Sequence, residues 1–221
     1  KPEIDLPATL DPYAPPVYDK GKRNFARFIS EGWLRPETRA CFYLYRQIMG
    51  SHSQTGLVAV ASCEEYQRNL IRKHELTRPE KEDDRVRHIE ALNAQTGPAF
   101  LTCRADPALD QWVAQRTASE PAIDFTAPDG VRHSSWTLSA DADIAFIQNT
   151  FAGIRFLYIA DGHHRAAAAV RVFQKRQGGG NSRYFLSVIF PHNQLQILPY
   201  NRLLKDLNGL APATLLAQLE R

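Results

Sequence analysis

The sequence predicts an α+β fold in which a mixed sheet is flanked by helices. Two observations lead there. Strand-length apolar stretches and stretches with helical periodicity follow one another without strict βαβ alternation. The 221 residues are 43% hydrophobic and 23% charged, the profile of a globular chain long enough to bury a sizeable core.

Taken in order, the opening carries Pro2, Pro7, Pro12, Pro15 and Pro16 and reads as a loop. "VYDKGKRNFARFISEGWL" then predicts a helix with Phe25, Phe28 and Ile29 on one face and Gly32 as its stop. "ACFYLYRQIM" and "GLVAVASC" are strands joined by the polar loop "GSHSQT", a hairpin. "CEEYQRNLIRKHELT" is a short helix running into a loop. In "TRPEKEDDRVRHIEALNAQTGP" Thr77 caps a helix with Glu80 three residues on, and Pro79 sits in the first turn. Val86, Ile89, Leu92 and Asn93 form its inner stripe, and Gly97 and Pro98 close it. A strand "AFLTCR", a helix around "PALDQWVAQR", strands "AIDFTA" and "RHSSWTL", and a helix near "DADIAFIQNTFAGI" follow. The strand "RFLYIA" leads into a helix from His163 to Gln177. After the glycine run "GGGN", "RYFLSVIF" and "LQILPYN" are two more strands before a short terminal helix.

These elements are expected to form one α+β domain over 1–221, with a loop-rich lead-in at 1–20, a hairpin and acidic helix at 21–98, and a third stretch at 99–221. The chain opens at Lys1 in mid-sentence fashion, and the native start is expected to lie upstream. The charge of +3, from 27 basic and 24 acidic residues spread along the chain, is too mild to imply nucleic acid and suits a phosphorylated small molecule. Cys41, Cys63 and Cys103 make neither a CxxC pair nor an even disulfide framework, so a reducing compartment and buried thiols are expected. No apolar run approaches the ~20 residues of a membrane helix, and no leader opens the chain. The expected location is cytoplasmic, without a membrane partner.

The densest cluster of chemistry is "LYIADGHHRAAAAV" at 157–170. A strand that ends at Asp161-Gly162 and turns directly into a helix presents free N–H groups and a favourable dipole to an anion. Phosphate is the expected guest. Gly162 lets the backbone approach, His163 and His164 donate, and Arg165 offers a bidentate fork. Asp161 is either a general base or a magnesium ligand. A bland arrangement, in which Asp161 caps the helix and Arg165 pairs with it, accounts for any one of these residues alone. It does not account for consecutive histidines, which add nothing to helix propensity. Neighbouring helical residues point about 100° apart, so the histidines cannot chelate one ion as an i, i+4 pair does. Position 78 is Arg78, which breaks the HExxH zinc pattern, and no GxSxG elbow is present.

"YIADGHHRAAAAV" resembles the DGHHR signature of the ParB/sulfiredoxin superfamily, in which a strand–turn–helix element binds nucleotide phosphates. The form most similar in motif is that of free-serine kinases, which convert serine to O-phosphoserine. "SHSQTG", "KHELTRPEKEDDRVRHIEALNAQTGP", "ADGHHR" and "ILPYNR" together resemble a widespread bacterial and archaeal family of uncharacterised proteins, a domain of unknown function, over nearly the whole chain. The resemblance implies a ParB/sulfiredoxin-like nucleotide-binding core, ATP or ADP with Mg2+, and a small hydroxyl-bearing substrate. It implies Asp161 as base or magnesium-linked carboxylate, and Gly162, His163, His164 and Arg165 as the phosphate cradle.

Transfer chemistry needs a metal and a base beyond a phosphate grip, and "HELTRPEKEDDR" can supply them. Glu80, Glu82, Asp83 and Asp84 suit the positive end of a helix dipole. Glu75 stands outside the helix between His74 and Leu76, near Arg78, and is the proposed equivalent of the kinases' catalytic glutamate, as base or magnesium ligand. His74, Arg78, Asp84 and His88 are candidate substrate contacts, as are His52, Ser53, Gln54 and Thr55 in the hairpin loop. Arg202 is a candidate anion ligand. The function expected is a nucleotide-dependent small-molecule kinase, best exemplified by phosphorylation of L-serine. The alternative is a ParB-like nucleotide-binding regulatory or DNA-associated protein, for which a helix-turn-helix after the motif is lacking. Sulfiredoxin chemistry requires a cysteine that the motif does not contain. The oligomeric state is not legible.

Overall fold

A computed structural model describes residues 5–199, 201 and 203–219. Its elements in chain order are α1 (Pro15–Ser30), β1 (Phe42–Met49), β2 (His52–Ser62), α2 (Cys63–Gln67), β3 (Ile71–Arg72), α3 (Pro79–Leu92), β4 (Ala99–Cys103), α4 (Pro107–Arg116), β5 (Ile123–Thr126), β6 (Arg132–Leu138), α5 (Asp141–Ala152), β7 (Leu157–Asp161), α6 (His163–Lys175), β8 (Tyr184–Pro191) and α7 (Pro212–Leu219). The strands make one eight-stranded sheet in the order β3-β7-β4-β8-β2-β1-β6-β5. It is mixed: β3 with β7 and β4 with β8 are parallel, and every other pair is antiparallel. The fold is α+β, as the sequence predicts.

Residues directly opposed on neighbouring strands share a face of the sheet. The register runs Ile159 to Leu101, Leu101 to Ile189, Ile189 to Leu57, Leu57 to Leu44, and Leu44 to Trp136. One face therefore carries a continuous apolar row across six strands, and every member is buried. Helix α6 covers one end of this face with Ala166, Ala169 and Val170. Helices α4 and α5 cover the other with Leu109, Trp112 and Ile147. Burial of each large side chain contributes roughly 1.5–3 kcal/mol. On the opposite face Gly56 makes room for Phe190, whose ring carbons would lie 2.9 Å from a Cβ at that position.

The helices are tied together by polar contacts. Asp106 caps α4 by accepting from the N–H groups of Ala108 and Leu109 at 2.9 Å. Arg171 of α6 pairs with Asp83 of α3 at 2.6 Å and with Glu82 at 3.2 Å. Tyr18 of α1 donates its hydroxyl to the buried carboxylate of Asp84 on α3 at 2.7 Å.

Several elements differ from the sequence reading. The hairpin turn is only Gly50-Ser51, because Met49 already pairs with His52; His52, Ser53, Gln54 and Thr55 are strand residues rather than loop. Helix α1 starts at Pro15 and buries Val17, Tyr18 and Gly21, while Ile29 is exposed. In α3 the N-cap is Arg78, not Thr77, and no side chain caps it; the Thr77 hydroxyl donates instead to Glu82. The helix ends at Leu92, with Asn93 in the left-handed conformation, and its most buried residue is Asp84. Strand β3 was not expected. Leu195–Pro199 form no strand.

Candidate functional site

Strand β7 ends at Asp161 and α6 begins at His163, so a single residue makes the turn. That residue is Gly162, at φ +89°. A Cβ there would lie 3.2 Å from the Cα of Ala99 and 3.2 Å from Nε of Arg165, so both conformation and space require glycine. The Gly162 carbonyl accepts from the N–H groups of Arg165 and Ala166 at 3.0 Å. No side chain caps this helix and its first turn holds no acid. The N–H groups of His163 and His164 therefore point beyond the helix at its positive end.

The loop between β3 and α3 crosses this end. His74 N–H donates to Nε2 of His163 at 3.4 Å, and Arg78 N–H donates to Nε2 of His164 at 3.1 Å. An Nε2 that accepts carries no proton, so the bond to His163 belongs to its neutral ring. Burial of His163 pushes its pKa down, the neighbouring His74 and His164 add to the effect, and the attraction of Glu75 and Asp161 opposes it. The ring of His74 stands edge-on to that of His163 at 4.4 Å. Nδ1 of His163 lies 3.2 Å from Oε2 of Glu75, but the angle is wrong for a hydrogen bond and the atom is left without a partner. His163 is 2% exposed, so this orphan donor is a charge-sensitive group built into the site rather than a solvated one.

Arg165 grips the other side. It donates to Asp161 Oδ2 at 2.7 Å and to the carbonyl of Pro98. Of the bland alternative, the pairing of Asp161 with Arg165 is formed and the capping by Asp161 is not. Asp161 is exposed and keeps its second oxygen outside that pair. Asp161 and Glu75 are the carboxylates nearest the helix start; among the described residues no group of three or more His, Cys, Asp or Glu could hold a metal ion. Two carboxylates suit a magnesium ion bound chiefly through phosphates and water.

Glu75, His74, Arg78, Asp161, Gly162, His163, His164 and Arg165 are thus brought together. His88 lines a neighbouring cleft with Arg165 and Arg85, the last not anticipated from sequence; its only signal was the i, i+3 spacing to His88. Two groups of candidates lie elsewhere. Asp84 is 5% exposed and accepts from Tyr18 of α1. His52, Ser53, Gln54 and Thr55 lie at the turn end of β2, which β8 and β4 separate from β7. Arg202 lies outside the described residues. Among the described residues no helix is long and apolar enough to cross a membrane.

No curated protein and no solved structure matches the chain. A family model matches residues 1–221, under the description "Protein of unknown function (DUF1015)".

Proposed function

We propose that this chain, which belongs to the protein family of unknown function DUF1015, is a nucleotide-dependent kinase of a small alcohol, with a ParB/sulfiredoxin-like core and L-serine as the leading acceptor. The uncapped start of α6 carries the proposal: a glycine turn, free N–H groups at a positive helix end, and Arg165 beside them make a site for phosphate oxygens. Two carboxylates border it, as transfer requires and mere phosphate binding does not.

Gly162 and the N–H groups of His163 and His164 bind the phosphates of ATP or ADP, and Arg165 extends the grip. His163 and His164 act through their backbone N–H groups, since their Nε2 atoms hold the 74–78 loop. Glu75 takes the proton of the acceptor hydroxyl, whose oxygen bonds to the terminal phosphorus as the bond to the leaving nucleotide breaks. Asp161 and Glu75 would hold magnesium, which neutralises phosphate charge when bound.

Purified protein with ATP or ADP, Mg2+ and L-serine, and in parallel a panel of other small alcohols, is expected to yield a phosphorylated acceptor by mass spectrometry. Nucleotide binding with no product from any acceptor would leave the regulatory alternative in its place.

A further inference from the structure

Beside the phosphate cradle, and sharing Arg165 with it, lies a small cleft. Helix α3 supplies Arg85 and His88 to its walls and α6 supplies Arg165, while Thr96 and Gly97 close it from the loop before β4. Its floor is apolar, made by Ile89, Phe185 and Leu186. Among the described residues no Asp or Glu lines it.

The charge balance of α3 and α6 singles the cleft out. Elsewhere along their interface Arg171 pairs with Asp83 and Glu82, Lys175 pairs with Glu90, and Arg176 bonds the Asn93 side chain. Arg85 makes no ion pair or hydrogen bond with the described residues. The exposed Arg85 guanidinium, with no countercharge among the described residues, raises the positive potential along this cleft beside the His88 imidazole and the Arg165 guanidinium, the latter paired with Asp161. The wall is also stiff. Gln95 bonds the Tyr184 carbonyl at 2.9 Å and the Leu186 N–H at 2.8 Å, and Arg165 is fixed between Asp161 and Pro98.

We propose that this cleft binds the carboxylate of the phosphoryl acceptor, so that the substrate class is a small hydroxy acid or hydroxy amino acid. The proposal rests on the kinase reading above. Arg85 supplies a fork that matches a carboxylate bidentately. The cleft volume of about 80 Å³ accommodates a few non-hydrogen groups and not a nucleoside. Arg165 belongs both to this cleft and to the first turn of α6, which sets the acceptor beside the phosphate it receives.

The test uses the whole chain and its Arg85→Gln and Arg85→Lys variants. Glycolate, glycerate and L-serine, their amides, and ATP and ADP are titrated by calorimetry. Wild type is expected to bind at least one carboxylate and not its amide. Arg85→Gln should weaken that binding about tenfold or more, as loss of a charge-assisted hydrogen bond implies, with Arg85→Lys in between and nucleotide affinity unchanged. Three results overturn the proposal: no carboxylate bound by wild type, equal carboxylate affinity in Arg85→Gln, or a loss of nucleotide affinity in its place, which would make the cleft part of the nucleotide site. Arg85-dependent carboxylate binding without product from any bound acceptor sinks the kinase reading and leaves the carboxylate site standing. Product formed by Arg85→Gln at the wild-type KM sinks the site and leaves the kinase.

Discussion

The buried Nδ1 of His163 and the half-exposed Oε2 of Glu75 stand 3.2 Å apart without a hydrogen bond between them. Glu75 comes from the loop after β3 and His163 from the first turn of α6, so the contact joins two segments far apart in sequence. It leaves the Glu75 carboxylate free to take a proton from a third group.

Glu75→Gln is expected to lower kcat by about 10²- to 10⁴-fold, the range for loss of a general base, with nucleotide affinity retained. Asp161→Asn should also spare nucleotide binding and abolish transfer. Steady-state kinetics beside nucleotide titrations separate the two effects. Full transfer by Asp161→Asn would reduce Asp161 to a partner of Arg165.

Acid should loosen the site. The folded pKa of His163 lies below its ordinary value, so on acidification the unfolded chain takes up the proton first. The stability this group contributes is complete above about pH 6.5 and is lost as pH falls from there toward the folded pKa. Chemical denaturation at about pH 8 and about pH 5.5 checks this. Wild type should lose more stability than His163→Gln, whose amide oxygen reaches the Nε2 position and can accept the same N–H without titrating.

Gly162→Ala is expected to destabilise the protein by about 1–2 kcal/mol from the left-handed conformation alone, with more from the 3.2 Å approach to Ala99. Denaturant titration measures the loss. The rise in Tm on adding ATP should shrink in the same variant, because the turn that aims the N–H groups is displaced.

That turn was legible in the sequence because it is local: an apolar run, one glycine and an alanine-rich helix specify it without help from elsewhere. Long-range partners were not legible. Thr77 has the spacing of a capping box, yet Glu82 takes its hydroxyl, a choice made by tertiary position. Asp84 sits among acids that read as a solvated face, yet it is buried and Tyr18 arrives from α1 to bond it. The run "LQILPYN" has strand composition, but its residues Leu195–Pro199 join no strand of the sheet. Glu75 stands out in the sequence by its position outside the helix, and the structure sets it beside His163. Arg85 does not stand out in the sequence, because what marks it is the lack of a partner among the described residues, which no sequence displays.

Tyr18→Phe should cost about 1–3 kcal/mol, since it leaves the buried Asp84 carboxylate short of a donor. Burial and the adjacent carboxylate already raise the Tyr18 pKa, so the phenol stays protonated and the bond persists through neutral pH. Equilibrium denaturation, with circular dichroism to follow α1, is the measurement.

Thiol chemistry should be confined to Cys41. Burial pushes the thiols of Cys63 and Cys103 up to about 11, leaving them protonated and shielded. Ellman titration is expected to find one reactive thiol in the native protein and three after denaturation. A rapidly reacting second thiol would reopen a redox role.

The doubled histidine has a mechanical consequence. One hydrogen bond to a loop is a pivot, about which the loop can swing. His163 and His164 point about 100° apart and take hold of the loop at two stations, His74 and Arg78. Two pins remove the swing. The span between them, which carries Glu75, is held like a bridge on two piers, and the orientation of its carboxylate is set by the helix it crosses rather than by the loop's own stiffness.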